Sequence, residues 1–393
     1  MTTSLQSIAQ SPTEDAFVQS TYAFYDRARA LGDLVHWDDY GTVHAFDSAT
    51  VNQLLRDRSW GRAFSPERSG LTDPHLADFA RLEAFSLLAL EPPEHTRIRK
   101  ILTRAFTSRA INALRPFIEA TANALLDQAE SCSDHSRPYE LVGHYAEQLP
   151  VLTIAHLLGI PQQMADRMLS WSHDMVAVYQ ARRDIGIEHR ANRAARAFAA
   201  YINDILDRQQ GTGADTLIGR LLQPDQRGEK LARDEAIATI ILLLNAGHEA
   251  TASAIGNGVN VLLESGLEIM PLLAPDQIAA TVEEILRFDP PLHIFERIAM
   301  RDTTAAGHEF PEGSTIGLVL ASANRDPLIY GNPDHFDPYR DPLPHTSFGA
   351  GLHFCIGAPL ARLELAIALT TLFRRFPDLS IATPPRYANR YHF

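Results

Sequence analysis

A mainly α fold with small β-sheets is what this sequence predicts, on three observations. Residues 234–265 carry the longest helical pattern in the chain, interrupted by glycines but by no proline. Helical periodicity dominates from Glu94 onward, whereas alternating apolar runs are few and short. No Gly/Ser linker or long charge block divides the 393 residues, so 16–393 read as one domain behind a flexible N-terminal tail of 1–15.

In chain order, residues 12–31 read as a helical segment. Leu34–Trp37 and Thr42–Phe46 alternate on either side of Asp38-Asp39-Tyr40-Gly41 and read as a hairpin. Residues 60–90 are irregular and rich in Pro and Gly, with Phe79, Phe85, Leu87 and Leu88 spread through them. Two amphipathic helices follow at 161–180 and 188–209, the second broken by Gln210-Gly211-Thr212-Gly213. The 234–265 helix would run roughly 45 Å at 1.5 Å per residue. Its middle is apolar almost all round, which predicts a central, buried position. A further helix at 275–288 stops at Asp289-Pro290-Pro291. Short strands and turns lead to about 345, and a last helix reaches about Phe373.

Hydrophobic residues make up 45% of the chain, enough for an extensive core. A formal net charge of −13 argues against a nucleic-acid partner. The N-terminus has no signal-peptide pattern, and the densest apolar run, Ile240–Leu244, is too short to span a bilayer. Only Cys132 and Cys355 are present. Cys132, in a polar Ser/Asp/His segment, reads as an unpaired loop thiol. With no disulfide framework a reducing cytoplasm fits, and a monomer that does not engage a membrane is expected.

The stretch Ser347–Arg362 places Cys355 in a turn punctuated by Gly349, Gly351 and Gly357, directly before a helical pattern. Such glycines permit positive φ and close approach of a flat group. A helix N-terminus would favour the thiolate. A thiolate in a turn, packed beside Phe348, suits an axial haem ligand. The stretch resembles the cysteine-ligand loop of the cytochrome P450 family, Phe-x-x-Gly-x-His-x-Cys-x-Gly. Phe348, Gly351, His353, Cys355 and Gly357 match it position for position, and Ala361-Arg362 also fits.

That resemblance implies a cytochrome P450 fold with the long helix lying over haem b, and Cys355 as the iron ligand. It implies that His95, Arg99, Arg297 and His353 hold the haem propionates, and that Phe348, Gly349, Gly357 and Ala246 line the cofactor. Glu284 and Arg287, three apart on one helical face, resemble the family's structural Glu-x-x-Arg pair beneath the haem. Ala246-Gly247-His248-Glu249-Ala250-Thr251 resembles the family's oxygen-binding segment, with Glu249 as the proton-relaying acid. Alanine at 250 departs from the usual threonine, whose hydroxyl helps deliver protons for O–O cleavage. Thr251 lies about 100° further round the helix. Three explanations remain open: a substrate hydroxyl or extra water completes the relay, a helix distortion brings Thr251 in, or peroxide is used directly.

By family position, the substrate pocket would draw on Phe85, Leu88, Leu242, Leu243, Ile294 and Phe295, giving a mainly apolar small-molecule substrate. His293 is the polar residue there that could orient it. No flavin or iron–sulfur segment is present, so electrons would come from a ferredoxin and its reductase. Arg362, Lys100, Arg104 and Arg109 would give a basic face for that acidic partner. The implied activity is insertion of one oxygen atom from O2, as hydroxylation or epoxidation. A peroxide-driven peroxygenase and a haem-dependent binder without turnover are the alternatives.

Overall fold

The computed structural model describes residues 5–63, 73–132, 138–209, 216–224 and 228–388. The N-terminal third holds β1 (Gln6–Ile8), α1 (Asp15–Val18), α2 (Tyr22–Arg29), β2 (Leu34–Trp37), β3 (Thr42–Ala45), α3 (Ser48–Arg56), β4 (Trp60–Gly61) and α4 (Ala77–Glu83). The helical body holds α5 (Glu94–Ala105), α6 (Ser108–Asn112), α7 (Arg115–Cys132), α8 (Gln148–Leu158), α9 (Ala165–Val176), α10 (Ile185–Gln209) and α11 (Leu217–Leu222). It continues with α12 (Arg233–Glu264), α13 (Ile269–Leu272) and α14 (Ile278–Phe288). The remainder is β5 (Ile294–Ala299), β6 (Thr303–Ala305), β7 (His308–Phe310), β8 (Thr315–Val319), α15 (Leu320–Ala323) and α16 (Ala358–Arg375).

One sheet runs in the order β1-β2-β3-β8-β5-β4, and β6-β7 form a separate hairpin. The β2–β3 pair is antiparallel, with Leu34 opposite Ala45 and Trp37 opposite Thr42. Gly41, at φ +65°, closes its turn in the left-handed region that glycine takes without strain. Two expectations need correction at this end. The segment read as a tail contributes β1, which pairs parallel to β2, and the Trp37 indole N–H donates to the Gln10 carbonyl at 2.7 Å. The helix expected over 12–31 is two short helices, α1 and α2, separated at Gln19–Thr21. Cys132 closes α7 rather than sitting in a loop. Residues 64–72 of the irregular region and the Gln210–Gly213 break lie outside the described residues.

The long helix α12 organises the packing. Its first half sends Ile237, Ile240, Ile241 and Leu244 into a core shared with α4, α8, α9 and α10. Its second half sends Ala254, Ile255, Val259 and Leu262 into another, shared with α7, α14 and α16. The helix is started by Glu235, which reaches back to accept the Ala232 N–H at 2.8 Å and also pairs with Arg97. No helix among the described residues is long and apolar enough to cross a membrane.

Glu364 on α16 is a carboxyl buried with no ion-pair partner among the described residues. It is 1% exposed and shares a hydrogen bond with the Thr153 side chain, and burial holds its pKa well above the carboxylate range. Below the unfolded carboxyl range, both folded and unfolded states are protonated. Above it only the unfolded chain ionises, so this group lowers stability steadily as pH rises towards its folded pKa. Glu364→Gln should remove that slope. The fall in urea midpoint between mildly acidic and neutral buffer should shrink in the variant, and an unchanged fall would mean Glu364 is ionised in the fold.

Candidate active site

The Cys355 loop is held by its own backbone. The Cys355 N–H donates to the Phe348 carbonyl at 3.0 Å, and the Gly349 N–H donates to Thr346 at 2.7 Å. Gly349 and Gly351 sit at φ +66° and +68°. A Cβ on Gly351 would lie 2.5 Å from the Leu55 carbonyl oxygen, and one on Gly349 would lie 3.0 Å from the Phe295 ring. Both positions therefore require glycine twice over, for conformation and for space. Gly357 differs from the expectation: its φ is −80°, so it serves as the N-cap of α16 and leaves room 3.8 Å from Sγ.

Cys355 is exposed as a residue. Protein packed around its sulfur nevertheless desolvates it and pushes the thiol pKa up. The backbone N–H groups of Gly357 and Ala358, then Arg99 and Arg362, pull the other way without overcoming that cost. The expected preference for thiolate is thus present as N–H donation but reversed in the net. Deprotonation is left to metal ligation itself.

A cationic cluster lies beside the loop. His95 on α5 is fully buried, and neither ring nitrogen has a partner among the described residues. Burial, then the charges of His353 and Arg99, hold its pKa down to about 4. Its ring stands 4.5 Å from that of His353, whose Nε2 lies 3.0 Å from Glu91 Oε1. Arg297 on β5 is 1% exposed and donates to the Glu296 carbonyl at 2.9 Å. Burial, then Arg62, lowers its pKa to about 9. Arg62 and Arg297 both stand over the Phe295 ring, 5.6 and 5.9 Å from its centroid. The desolvated Arg297 guanidinium and the orphaned imidazole call for anions, and the carboxylates of a haem fit that demand; Arg62 beside them already has Glu83, Glu91 and Glu296 near it. Arg62 was missed from the sequence, because a lone arginine after a two-residue strand carries no spacing signal. Arg99 also braces the ligand loop, its Nη2 donating to the Phe354 carbonyl at 2.6 Å.

On α12 the exposure pattern marks one open strip. Ala246 is exposed in mid-helix, and Leu242, Gly247, Glu249 and Ala250 are half-buried, while Ile240, Ile241, Leu243, Leu244, His248 and Thr251 are buried. Small side chains thus line the strip beside a carboxylate. Glu249 Oε1 lies 3.7 Å from His173 Nε2 of α9. Thr251 turns its hydroxyl back to the Gly247 carbonyl at 3.4 Å, with no helix break that would bring it to the position of Ala250.

The structure thus sets the thiol loop beside a cluster of arginines and histidines, and places a strip of small residues on the central helix. A family model for cytochrome P450 matches residues 267–383. Over 381 residues the chain is 32% identical to the biotin biosynthesis cytochrome P450 of Bacillus subtilis, covering 95% of this chain and 94% of that one. The chain belongs to the cytochrome P450 family. It is accordingly a haem b-dependent monooxygenase. Among solved structures it resembles P450BioI in complex with hexadec-9Z-enoic acid ligated acyl carrier protein, at TM-score 0.89 and 31% identity, over 96% of this chain and 97% of that one. It also resembles myxobacterial CYP267B1 in complex with myristic acid, at TM-score 0.85 and 34% identity, over 94% and 92%.

Within this P450, the Glu-x-x-Arg pair is a buried bidentate ion pair, with both bonds at 2.7 Å. Of the expected pocket residues, Phe85, Leu88 and Leu242 are half-buried, and Phe295 packs against Gly349. Leu243 and Ile294 need correction. Leu243 is 7% exposed and faces the helical core, one position round from the open strip. Ile294 is 6% exposed and joins Tyr25, Val35 and Phe46 in a separate core, because neighbours on a strand face opposite ways. His293 likewise turns away: its Nδ1 lies 2.8 Å from the Tyr25 hydroxyl. It borders a cavity of about 410 Å³ at the C-terminal end of α12, with Tyr22, Asp289, Arg325 and Tyr387.

Proposed function

We propose that this P450 inserts one oxygen atom from O2 into a mainly apolar small molecule, by hydroxylation or epoxidation, with electrons from an external ferredoxin and its reductase. The open strip of α12 carries this reading: small apolar side chains leave room for a substrate, and one carboxylate stands beside them. Cys355 would hold the haem, which when bound would supply the oxygen-activating chemistry. His95, Arg62 and Arg297 would hold its carboxylates, with His353 steadied by Glu91. The N–H groups of Gly357 and Ala358 would offer hydrogen bonds to the Cys355 sulfur.

Glu249 would take up and release protons at its carboxylate, bordered by His173 on the α9 side. With methyl at Ala250 and the Thr251 hydroxyl turned to the backbone, a water or substrate hydroxyl would stand where family members carry threonine. Phe85, Leu88 and Leu242 would exclude bulk water. The fatty acyl ligands of the resembled structures support an acyl chain as the substrate class. The basic face for ferredoxin would rest on Lys100, Arg104 and Arg109. Arg362, at the other end of that face, also bonds Glu283 at 2.5 and 2.8 Å and stands over Phe348 at 4.4 Å, and Lys100 lies 3.8 Å from Glu229. A cytoplasmic, monomeric enzyme fits this reading.

The test uses myristic acid with ferredoxin, reductase and nicotinamide cofactor, and separately with hydrogen peroxide alone. Glu249→Gln should slow reductant-driven product formation by roughly 10²–10⁴-fold, the usual worth of a positioned acid–base group, while leaving the substrate-induced spin shift intact. An unchanged rate would remove Glu249 from the proton route. Equal wild-type rates with peroxide alone would favour the peroxygenase reading.

A further inference from the structure

We propose that His173, His248 and Glu249 form a binding site for a divalent zinc ion, bridging α9 and α12. One ligating atom from each residue lies within 4.8 Å of the other two, and His173 Nε2 stands 3.7 Å from Glu249 Oε1. The His173 and His248 ring centroids are 5.7 Å apart. Donors sharing one tetrahedral zinc at 2.0–2.1 Å sit roughly 3.4 Å apart, so closure requires side-chain adjustment and no refolding of either helix.

The independent sign of a ligand is His248. It is 1% exposed, and its Nε2 has no partner among the described residues. Its Nδ1 lies 2.8 Å from the Leu244 carbonyl, which can only accept, so Nδ1 carries the proton and the lone pair sits on Nε2. A buried lone pair without a donor is costly. Fixing an imidazole tautomer through a backbone carbonyl is also how metal-ligating histidines are oriented. The donor set of two imidazoles and one carboxylate suits zinc, with water in the fourth position. Magnesium and calcium would require more oxygen donors.

A zinc ion there would occupy the carboxylate of Glu249 and pin α9 to α12. The binding claim stands on geometry alone, whereas inhibition of turnover rests on the proton role proposed for Glu249. Calorimetric titration of the haem-loaded enzyme with zinc chloride should find one ion per chain and no comparable heat with magnesium chloride. His173→Ala should weaken binding by more than the roughly 10–100-fold that loss of an outer-sphere partner costs, and His248→Phe should abolish it. His173 is partly exposed, so its variant keeps the test valid if His248→Phe fails to fold. Zinc should also slow reductant-driven turnover over the concentration range in which it binds.

Two results would overturn the site. One is no stoichiometric binding in the wild type. The other is binding untouched by His173→Ala but lost on His75→Ala, which would place the ion at the His75–Glu188–His189 surface cluster. Binding without inhibition would uphold the site and count against the proton role of Glu249.

Discussion

Cys355→Ala should abolish reductant-driven oxygenation, down to the background of free haem, while leaving the polypeptide folded. The residue is exposed although surrounding protein partly desolvates its sulfur, so the apoprotein should change by no more than about 1 kcal/mol, the ordinary cost of a point substitution. The loop persists because its bonds are main-chain, from Cys355 N–H to Phe348 and from Gly349 N–H to Thr346. Sulfur donation to iron is what the variant loses, and with it the push of electron density that favours O–O cleavage. The check pairs urea unfolding of the apoprotein with turnover and the absorption spectrum of the reduced, carbon monoxide-bound form. An alanine variant that retains the wild-type spectrum and turnover would remove Cys355 from the site.

Removing one carboxylate far from the reacting atoms should damage the fold more. Glu284 and Arg287 are 6% and 2% exposed, so Glu284→Ala leaves a guanidinium buried without its counter-charge. The cost should be about 3–5 kcal/mol, a large share of the roughly 5–15 kcal/mol that holds a domain together. The pair is also the root of the ligand loop. Arg287 donates to the carbonyls of Asn324 and Pro333, both at 2.9 Å, and the Asp337 N–H donates to Glu284 at 2.9 Å. Asn324 in turn donates to the Ser347 hydroxyl at 2.8 Å and accepts the Thr346 N–H at 2.7 Å, at the start of the cysteine loop. Haem retention should therefore fall together with the urea midpoint. The exposed Arg208–Asp204 pair supplies the contrast, since breaking it should cost well under about 1 kcal/mol. Equal effects at the two places would mean that the buried pair does not anchor the loop.

The sequence announced these features unequally, for physical reasons. α12 was legible almost to the residue, expected at 234–265 and found at Arg233–Glu264, because a long apolar run without proline has few alternatives. The ligand loop was legible because its glycines are demanded by backbone geometry. Which face of α12 opens was harder to read. When a helix is apolar all round, Leu242 and Leu243 look alike, and only tertiary packing separates them. The alternation of β5 likewise hid that Phe295 meets the Cys355 loop while Ile294 meets Tyr25 and Phe46. β1 could not be seen, since three residues gain strand character only from β2 beside them. Arg62 and the His173 partner of Glu249 were invisible because their neighbours come from distant segments.

Iron-edge X-ray absorption of the haem-loaded ferric enzyme bears most directly on how this P450 holds its metal. One sulfur scatterer is expected in the iron's nearest shell in the wild type, lost in Cys355→Ala. A wild-type shell of nitrogen and oxygen alone, or sulfur that survives the substitution, would contradict ligation by Cys355.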